Sequence, residues 1–267
     1  MKRKALTLIL ALILCLSCAL PASAAGQKFT DVPDGAWYAE AVNAMAEGGV
    51  LNGRGDGTFD PDAPVTLAEL STIYCRLNGE EVTAEGGHWA GSALKRTGLG
   101  SERTGIYDEG DGTYPYADNP AYRADAFSLM AGWVYAWDFE NQSLGIMQGL
   151  GIGKGPYNLA DYVPSYTDFD ESKIPDRDEY YDAHNYEDMH GDFYYIKNGH
   201  YFMMREIDHA YDLGLTHGVD ANFTCNAFGT LTRAQLAQMC YNMGWIKAGS
   251  YAEFSNSIFN LFYKRDI

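Results

Sequence analysis

Basic residues are scarce in this chain: 19 Lys and Arg stand against 36 Asp and Glu, a formal net charge of −17. So acidic a protein repels phosphate backbones, which excludes nucleic acid as an expected partner. It also repels anionic polymers at long range, so affinity for one must come from local cations and specific hydrogen bonds. Cysteine is sparse too. Of five, Cys15 and Cys18 fall in the first 25 residues, leaving Cys75, Cys225 and Cys240. An odd set without a CxxC pair does not read as a disulfide framework. Cys75 and Cys240 sit inside apolar helical patterns, as small buried hydrophobes do; a pairing through Cys225 stays open. Beyond the N-terminus no apolar run is long enough to span a membrane. There is no HExxH, no Gly-x-Ser-x-Gly, and no phosphate-loop spacing in the glycine-rich stretch 149–155. No cofactor and no metal is therefore expected. His184, His190, His200, His209 and His217 lie among acids, but without the tight spacing of a zinc site.

What is present begins with a leader. Lys2, Arg3 and Lys4 form a basic start, Ala5 to Leu20 an apolar core, and Pro21 to Ala25 a run of small residues suited to signal peptidase. Residues 1–25 are thus expected to be a signal peptide. A membrane anchor and a lipoprotein start at Cys18 are the alternatives. Hydrophobic residues make up 46% of the chain, enough to bury a core.

Reading for self-similarity organises the rest. A first copy opens with Phe29-Thr30-Asp31-Val32, continues with Trp37-Tyr38-Ala39-Glu40, a turn at Gly48-Gly49 and a loop Asp56-Gly57-Thr58-Phe59-Asp60-Pro61, and ends with Thr66-Leu67-Ala68-Glu69. A third copy repeats the opening at Tyr166-Thr167-Asp168-Phe169, the glycine turn at Gly214 to Gly218, and the second helix start at Thr232-Arg233-Ala234-Gln235. A degenerate middle copy shows His88-Trp89-Ala90, Asp111-Gly112-Thr113 and Tyr122-Arg123-Ala124-Asp125. Thr66 with Glu69, and Thr232 with Gln235, read as capping boxes, whereas Tyr122 lacks the hydroxyl placement to cap in that way. Leu70, Ile73, Tyr74 and Leu77 recur at helical spacing, as do Leu236, Met239, Cys240 and Met243, and Ala126, Leu129, Met130 and Trp133. Three short helical hairpins with one apolar stripe each must share a core to bury it.

These motifs resemble the S-layer homology family. The resemblance implies a mainly α fold of three helical-hairpin repeats in a pseudo-threefold bundle with long loops. The expected division is repeat 1 at 26–83, degenerate repeat 2 at 84–160, repeat 3 at 161–245 with an insertion near 175–201, and an aromatic tail at 246–267. It implies a non-catalytic function, attachment to the cell wall through an acidic, pyruvylated glycan, and a secreted protein at the cell surface. In that family the motif arginine meets the glycan acid in a groove between repeats. Carried over, Arg123 and Arg233 match it, while Leu67 stands in its place in repeat 1. The physical logic is a planar fork of donors facing a carboxylate, helped by free N–H groups at a helix start. Trp37 and Trp89 match the aromatic before the first helix, with Phe202 as the third-copy counterpart, and core packing is the alternative role for the tryptophans. Asp56 and Gly57 match the loop. Arg54-Gly55-Asp56 is read as filler of that loop rather than an integrin tripeptide. The rival functions are an interaction module that has lost its glycan, favoured by Leu67, and a wall hydrolase using carboxylates of the insertion. The repeats leave no room in these residues for a separate catalytic domain.

Overall fold

The computed structural model describes residues 29–102, 111–140, 166–168, 181–182, 193–203, 207, 210–211 and 214–242. The leader, the stretch 149–155, most of the insertion, the tail, and the side chains of Trp133 and Met243 lie outside the described residues, as do His184, His190 and His209. The described part is mainly helical, with five helices and one small sheet.

Local chemistry explains where the helices begin and end. Helix α1 (Ala39–Glu47) buries Ala41, Val42 and Met45 on one face and stops at Gly48 and Gly49. Gly49 takes φ +70°, a left-handed turn that suits glycine. Helix α2 (Leu67–Leu77) starts on a complete capping box: Glu69 N donates to Thr66 Oγ1, and Thr66 N donates to the Glu69 carboxylate, both at 3.1 Å. Helix α3 (Gly91–Thr97) ends on Gly98 at φ +74°. Helix α4 (Arg123–Glu140) and helix α5 (Arg233–Asn242) begin with the two motif arginines. At α5 the same box recurs, with Thr232 N bonded to Gln235 Oε1 and Gln235 N to Thr232 Oγ1. At α4 half of it survives, because Tyr122 N donates to Asp125 Oδ2 at 2.7 Å.

The segments just ahead of α2, α4 and α5 hold one another. Val65 N donates to Leu231 O, Leu231 N to Ala121 O, and Ala121 N back to Val65 O, all within 2.9 Å. The next residues repeat the circuit: Leu67 N to Asn119 O, Arg123 N to Gly229 O, and Arg233 N to Ala63 O. Ala68, Ala124 and Ala234 do so again, onto Ala117, Ala227 and Pro61. Around this hub lies one apolar cluster that includes Val65, Leu67, Leu70, Phe127, Met130, Leu231, Leu236 and Cys240. Met239 is buried with them, while Leu77 and Leu129 pack at the margin. Helix contacts cross between segments: α1 packs on α5, and α3 on α2.

Strands β1 (Tyr181–Asp182), β2 (Phe193–Lys197) and β3 (His200–Met203) form an antiparallel sheet in that order. The β2–β3 turn is Asn198-Gly199, with φ of +51° and +81°, the left-handed pair whose twist suits a two-residue hairpin. Tyr195 pairs with Phe202 and Lys197 with His200, so these four share a face. Tyr195, Phe202 and His200 are buried, and the hairpin packs on α4 through β3.

Candidate binding groove

A groove of about 470 Å³ opens between four parts of the chain. Its walls are Trp37 at the entry to α1, the loop Leu215-Thr216-His217-Gly218-Val219, and Gln235, Gln238, Met239 and Asn242 of α5, with Arg123 from the start of α4. Trp37 is 63% exposed and Val219 46% exposed, so the rim is an open apolar surface over a polar floor. No Asp or Glu is among the lining residues.

Arg123 is buried. Its Nε donates to Cys225 O at 3.0 Å, Nη2 reaches Thr216 Oγ1 at 3.5 Å, and its guanidinium lies 5.1 Å over the Phe127 ring. Burial pulls its pKa down from the ordinary arginine value. The neighbouring residue on α5 is Gln235, which is neutral.

Arg233 takes the same position at the next junction. Its Nε donates to Phe59 O at 2.9 Å, Nη2 to Asn52 O at 2.7 Å, and Nη1 to Glu69 Oε1 at 3.3 Å. It also lies 4.7 Å over the Phe59 ring. Burial, then the nearby Arg54 charge, lower its pKa. Arg54 bonds the same Glu69 oxygen and pairs with Asp60. Here a carboxylate of the chain itself already faces the arginine fork. Leu67, the third equivalent, is fully buried in the core.

The other sequence-predicted residues fall elsewhere. Trp89 is 53% exposed before α3, beside His88, and is not part of the Trp37–Arg123 groove. Neither tryptophan is packed in the core. Phe202 is no counterpart of them: it lies on β3, fully buried and stacked on Tyr195 at 4.9 Å. Asp56 folds its own loop, accepting from Thr58 N and Oγ1 at 2.9 and 2.6 Å, and that side-chain bond heads the causes of its lowered pKa. Asp111 and Asp220 do the same in their loops. Gly57 takes φ +88° and accepts from Thr30 N. Helix-start N–H groups are not open to an anion, contrary to expectation: the first two amides of α2, α4 and α5 donate to the neighbouring segments' carbonyls.

Sequence reasoning placed Thr216 in the glycine turn without a role at a site, and it missed Gln238 and Asn242, which carry no motif; their position on the groove wall marks all three. It also missed the hairpin turn, although Asn-Gly between aromatic runs is a strong hairpin signal. Asp31 and Asp168, the opening aspartates, each bind two loop amides: Phe59 and Asp60 for Asp31, Cys225 and Asn226 for Asp168. Among the described residues Cys75, Cys225 and Cys240 are buried and form no disulfide. Among the described residues no group of three or more His, Cys, Asp and Glu could hold a metal, and no helix is long and apolar enough to cross a membrane.

Residues 28–71 match the family model of the S-layer homology domain. A cell surface protein of Thermoanaerobacter kivui is 31% identical over 147 residues, 48% of this chain and 19% of the relative. An S-layer protein of Bacillus licheniformis is 33% identical over 57 residues, 21% of this chain and 6% of the relative. The outer membrane protein SlpA of Thermus thermophilus is 35% identical over 77 residues, 29% of this chain and 8% of the relative. The matched stretches thus cover at most a fifth of each of these relatives.

Proposed function

Taking as premise that this chain carries an S-layer homology domain, we propose that it attaches to the bacterial cell wall without catalysis, through an acidic, pyruvate-bearing glycan. The single observation that carries this reading is the groove lined by both Trp37 and Arg123 and by no carboxylate. A pyruvate ketal presents one carboxylate beside a sugar ring. Arg123 supplies the charge, the Trp37 face covers the sugar C–H side, and the amides of Gln235, Gln238 and Asn242 suit hydroxyls. Between Arg123 and Arg233, Arg123 is the better partner, since Glu69 already stands against Arg233. In this reading Trp89, Asp56 and Gly57 belong to the equivalent loops and rims of the neighbouring junctions.

The wider organisation follows the same premise. The closed circuit of Val65, Leu231 and Ala121 supports three repeats around a pseudo-threefold axis, divided near residues 83 and 160, with residues 1–25 as an export signal. The similarity to cell surface and S-layer proteins supports a place at the cell envelope. A second reading, an interaction module without glycan, is favoured by one observation: both arginines already bond backbone carbonyls.

Sedimentation with purified walls, intact or stripped of secondary polymer, decides between them. Wild type should sediment with intact walls alone. Arg123→Ala and Trp37→Ala should each weaken binding, the first by about ten- to a hundredfold, the worth of one or two charge-assisted bonds. Trp37 is exposed, so its loss leaves the fold intact. If both variants sediment like wild type, the interaction module is the correct reading.

A further inference from the structure

We infer that the hairpin of the insertion, residues 193–203, is a built-in occupant of the third inter-repeat groove, the one whose motif arginine is replaced by Leu67. This rests on the groove reading above for its functional meaning, though not for its geometry.

Equivalent positions make the case. Gly98 and Gly214 both end a turn in the left-handed region, at φ +74° and +70°, and each is followed by a buried leucine. The next residues are Gly100 and Thr216. Likewise Asp125 and Gln235 stand three residues after Tyr122 and Thr232. Thr216 and Gln235 line the open groove around Arg123. Their counterparts beside Leu67 are already engaged by the hairpin. Gly100 N donates to Gly199 O at 2.8 Å. Asp125 Oδ2 meets His200 Nδ1 at 2.8 Å, and Asp125 Oδ1 accepts from Tyr201 N at 3.2 Å.

The residues that depart from the repeat pattern are those the hairpin requires. Gly199 comes so close that a Cβ there would meet Tyr116 Cβ at 2.5 Å and Gly100 Cα at 2.8 Å. Position 199 therefore has no room for a side chain where the turn meets Gly100. Tyr122, which replaces the threonine cap, stacks flat on His200, with centroids 3.9 Å apart and planes 3° apart. Asp125 is one carbon shorter than Glu69 and Gln235; it keeps its bond to Tyr122 N and still holds the hairpin. An aromatic ring and hydrogen-bonding groups thus fill the place where the other groove is open. The Arg123 groove is then the open one, Glu69 faces Arg233 at the next junction, and the third place is closed by the chain's own insertion.

The test has two arms on the full chain. In the first, amide exchange is followed at Gly100, Val65 and Leu231, in wild type and in a chain whose residues 195–202 are replaced by two glycines. Tyr194 pairs with Met203, so the cut ends already adjoin. Gly100 should exchange about tenfold faster or more once Gly199 O is gone, while the hub amides stay protected. Should the deletion unfold the chain, Gly199→Ala supplies the same readout. Unchanged exchange at Gly100 in a folded variant overturns the proposal. In the second arm, calorimetry counts sites for a pyruvate-ketal hexosaminide. Leu67→Arg alone should add no site, and Leu67→Arg with the hairpin removed should add one. A site gained by Leu67→Arg alone overturns the proposal. If no chain binds the sugar, the glycan reading fails and the exchange arm still decides the occupancy.

Discussion

Arg233 donates its Nε hydrogen to the carbonyl of Phe59, 174 positions earlier in the chain, while its guanidinium lies over the ring of that same residue. The two groups join the last described helix to the first loop. Arg123 makes the corresponding bond to Cys225. An arginine in such a place fastens two segments whether or not a ligand is present.

Arg233→Ala should therefore destabilise the protein. It leaves Phe59 O and Asn52 O without their charged donor and Glu69 without one of its cations. The expected loss is about 2–4 kcal/mol in urea unfolding, from charge-assisted bonds and newly unsatisfied acceptors. A change under about half a kcal/mol would show that the carbonyls find other partners.

Gln235→Glu should weaken wall binding with little effect on folding. It reproduces beside Arg123 the carboxylate that Glu69 sets against Arg233. The added anion competes with the glycan acid for one fork, so affinity should fall by about tenfold. Binding equal to wild type would place the glycan acid away from Arg123.

Asp31 makes stability depend on acid in a defined direction. Burial pushes its pKa up, but the amides of Phe59 and Asp60, both bonded at 2.7 Å, outweigh it and hold the carboxyl below its ordinary 3.8. A depressed folded value gives stability that is complete above the unfolded value and is lost as pH falls through the folded one. Asp31→Asn should cost about 1 kcal/mol at pH 7, a modest figure for a largely solvated carboxylate. The gap between variant and wild type should narrow below pH 3.8. Urea midpoints at neutral and acid pH measure it, and a gap as wide in acid as at pH 7 would refute the assignment.

Leu236→Ala should cost about 2–5 kcal/mol, the usual range for a fully buried leucine. Because Leu236 shares one cluster with Leu67, Phe127 and Leu231, the variant should still unfold in a single transition at lower denaturant. Two resolved transitions would mean that the cluster is not one cooperative core.

The features legible in the sequence are the local ones. The Thr66–Glu69 and Thr232–Gln235 boxes span four residues each, so spacing alone reveals them, and both form as read. In the apolar stripes, periodic within one helix, Leu70, Ile73 and Tyr74 of α2 and Leu236, Met239 and Cys240 of α5 are buried as read, while Leu77 is half-buried and Met243 lies outside the described residues. What sequence hides is pairing at a distance. The sequence reading treats each repeat's helices as a hairpin, yet α3 rests on α2 and α1 on α5. The long connections let both described first helices reach a neighbour's second helix. Nothing in the local pattern near His200 reveals Asp125, 75 residues away. Nor does spacing show that the helix-start amides, free in an isolated helix, are already bonded to carbonyls of the other segments.

The circuit through Val65, Leu231 and Ala121 also fixes an order of events. Its first two members can meet through Ala121 N and Val65 O, but both remaining bonds need Leu231. A nascent chain emerging from the ribosome has no such residue until its last described helix is about to appear. Until then Val65 N and the α4 amides of Arg123 and Ala124 lack their acceptors, which lie at Leu231, Gly229 and Ala227, and the shared core lacks a side. Closure of loops this long is slow and late, because their entropy is lost before any contact offsets it. The protein should thus mature as a whole after synthesis, and fragments ending before residue 231 should remain open chains prone to bind chaperones.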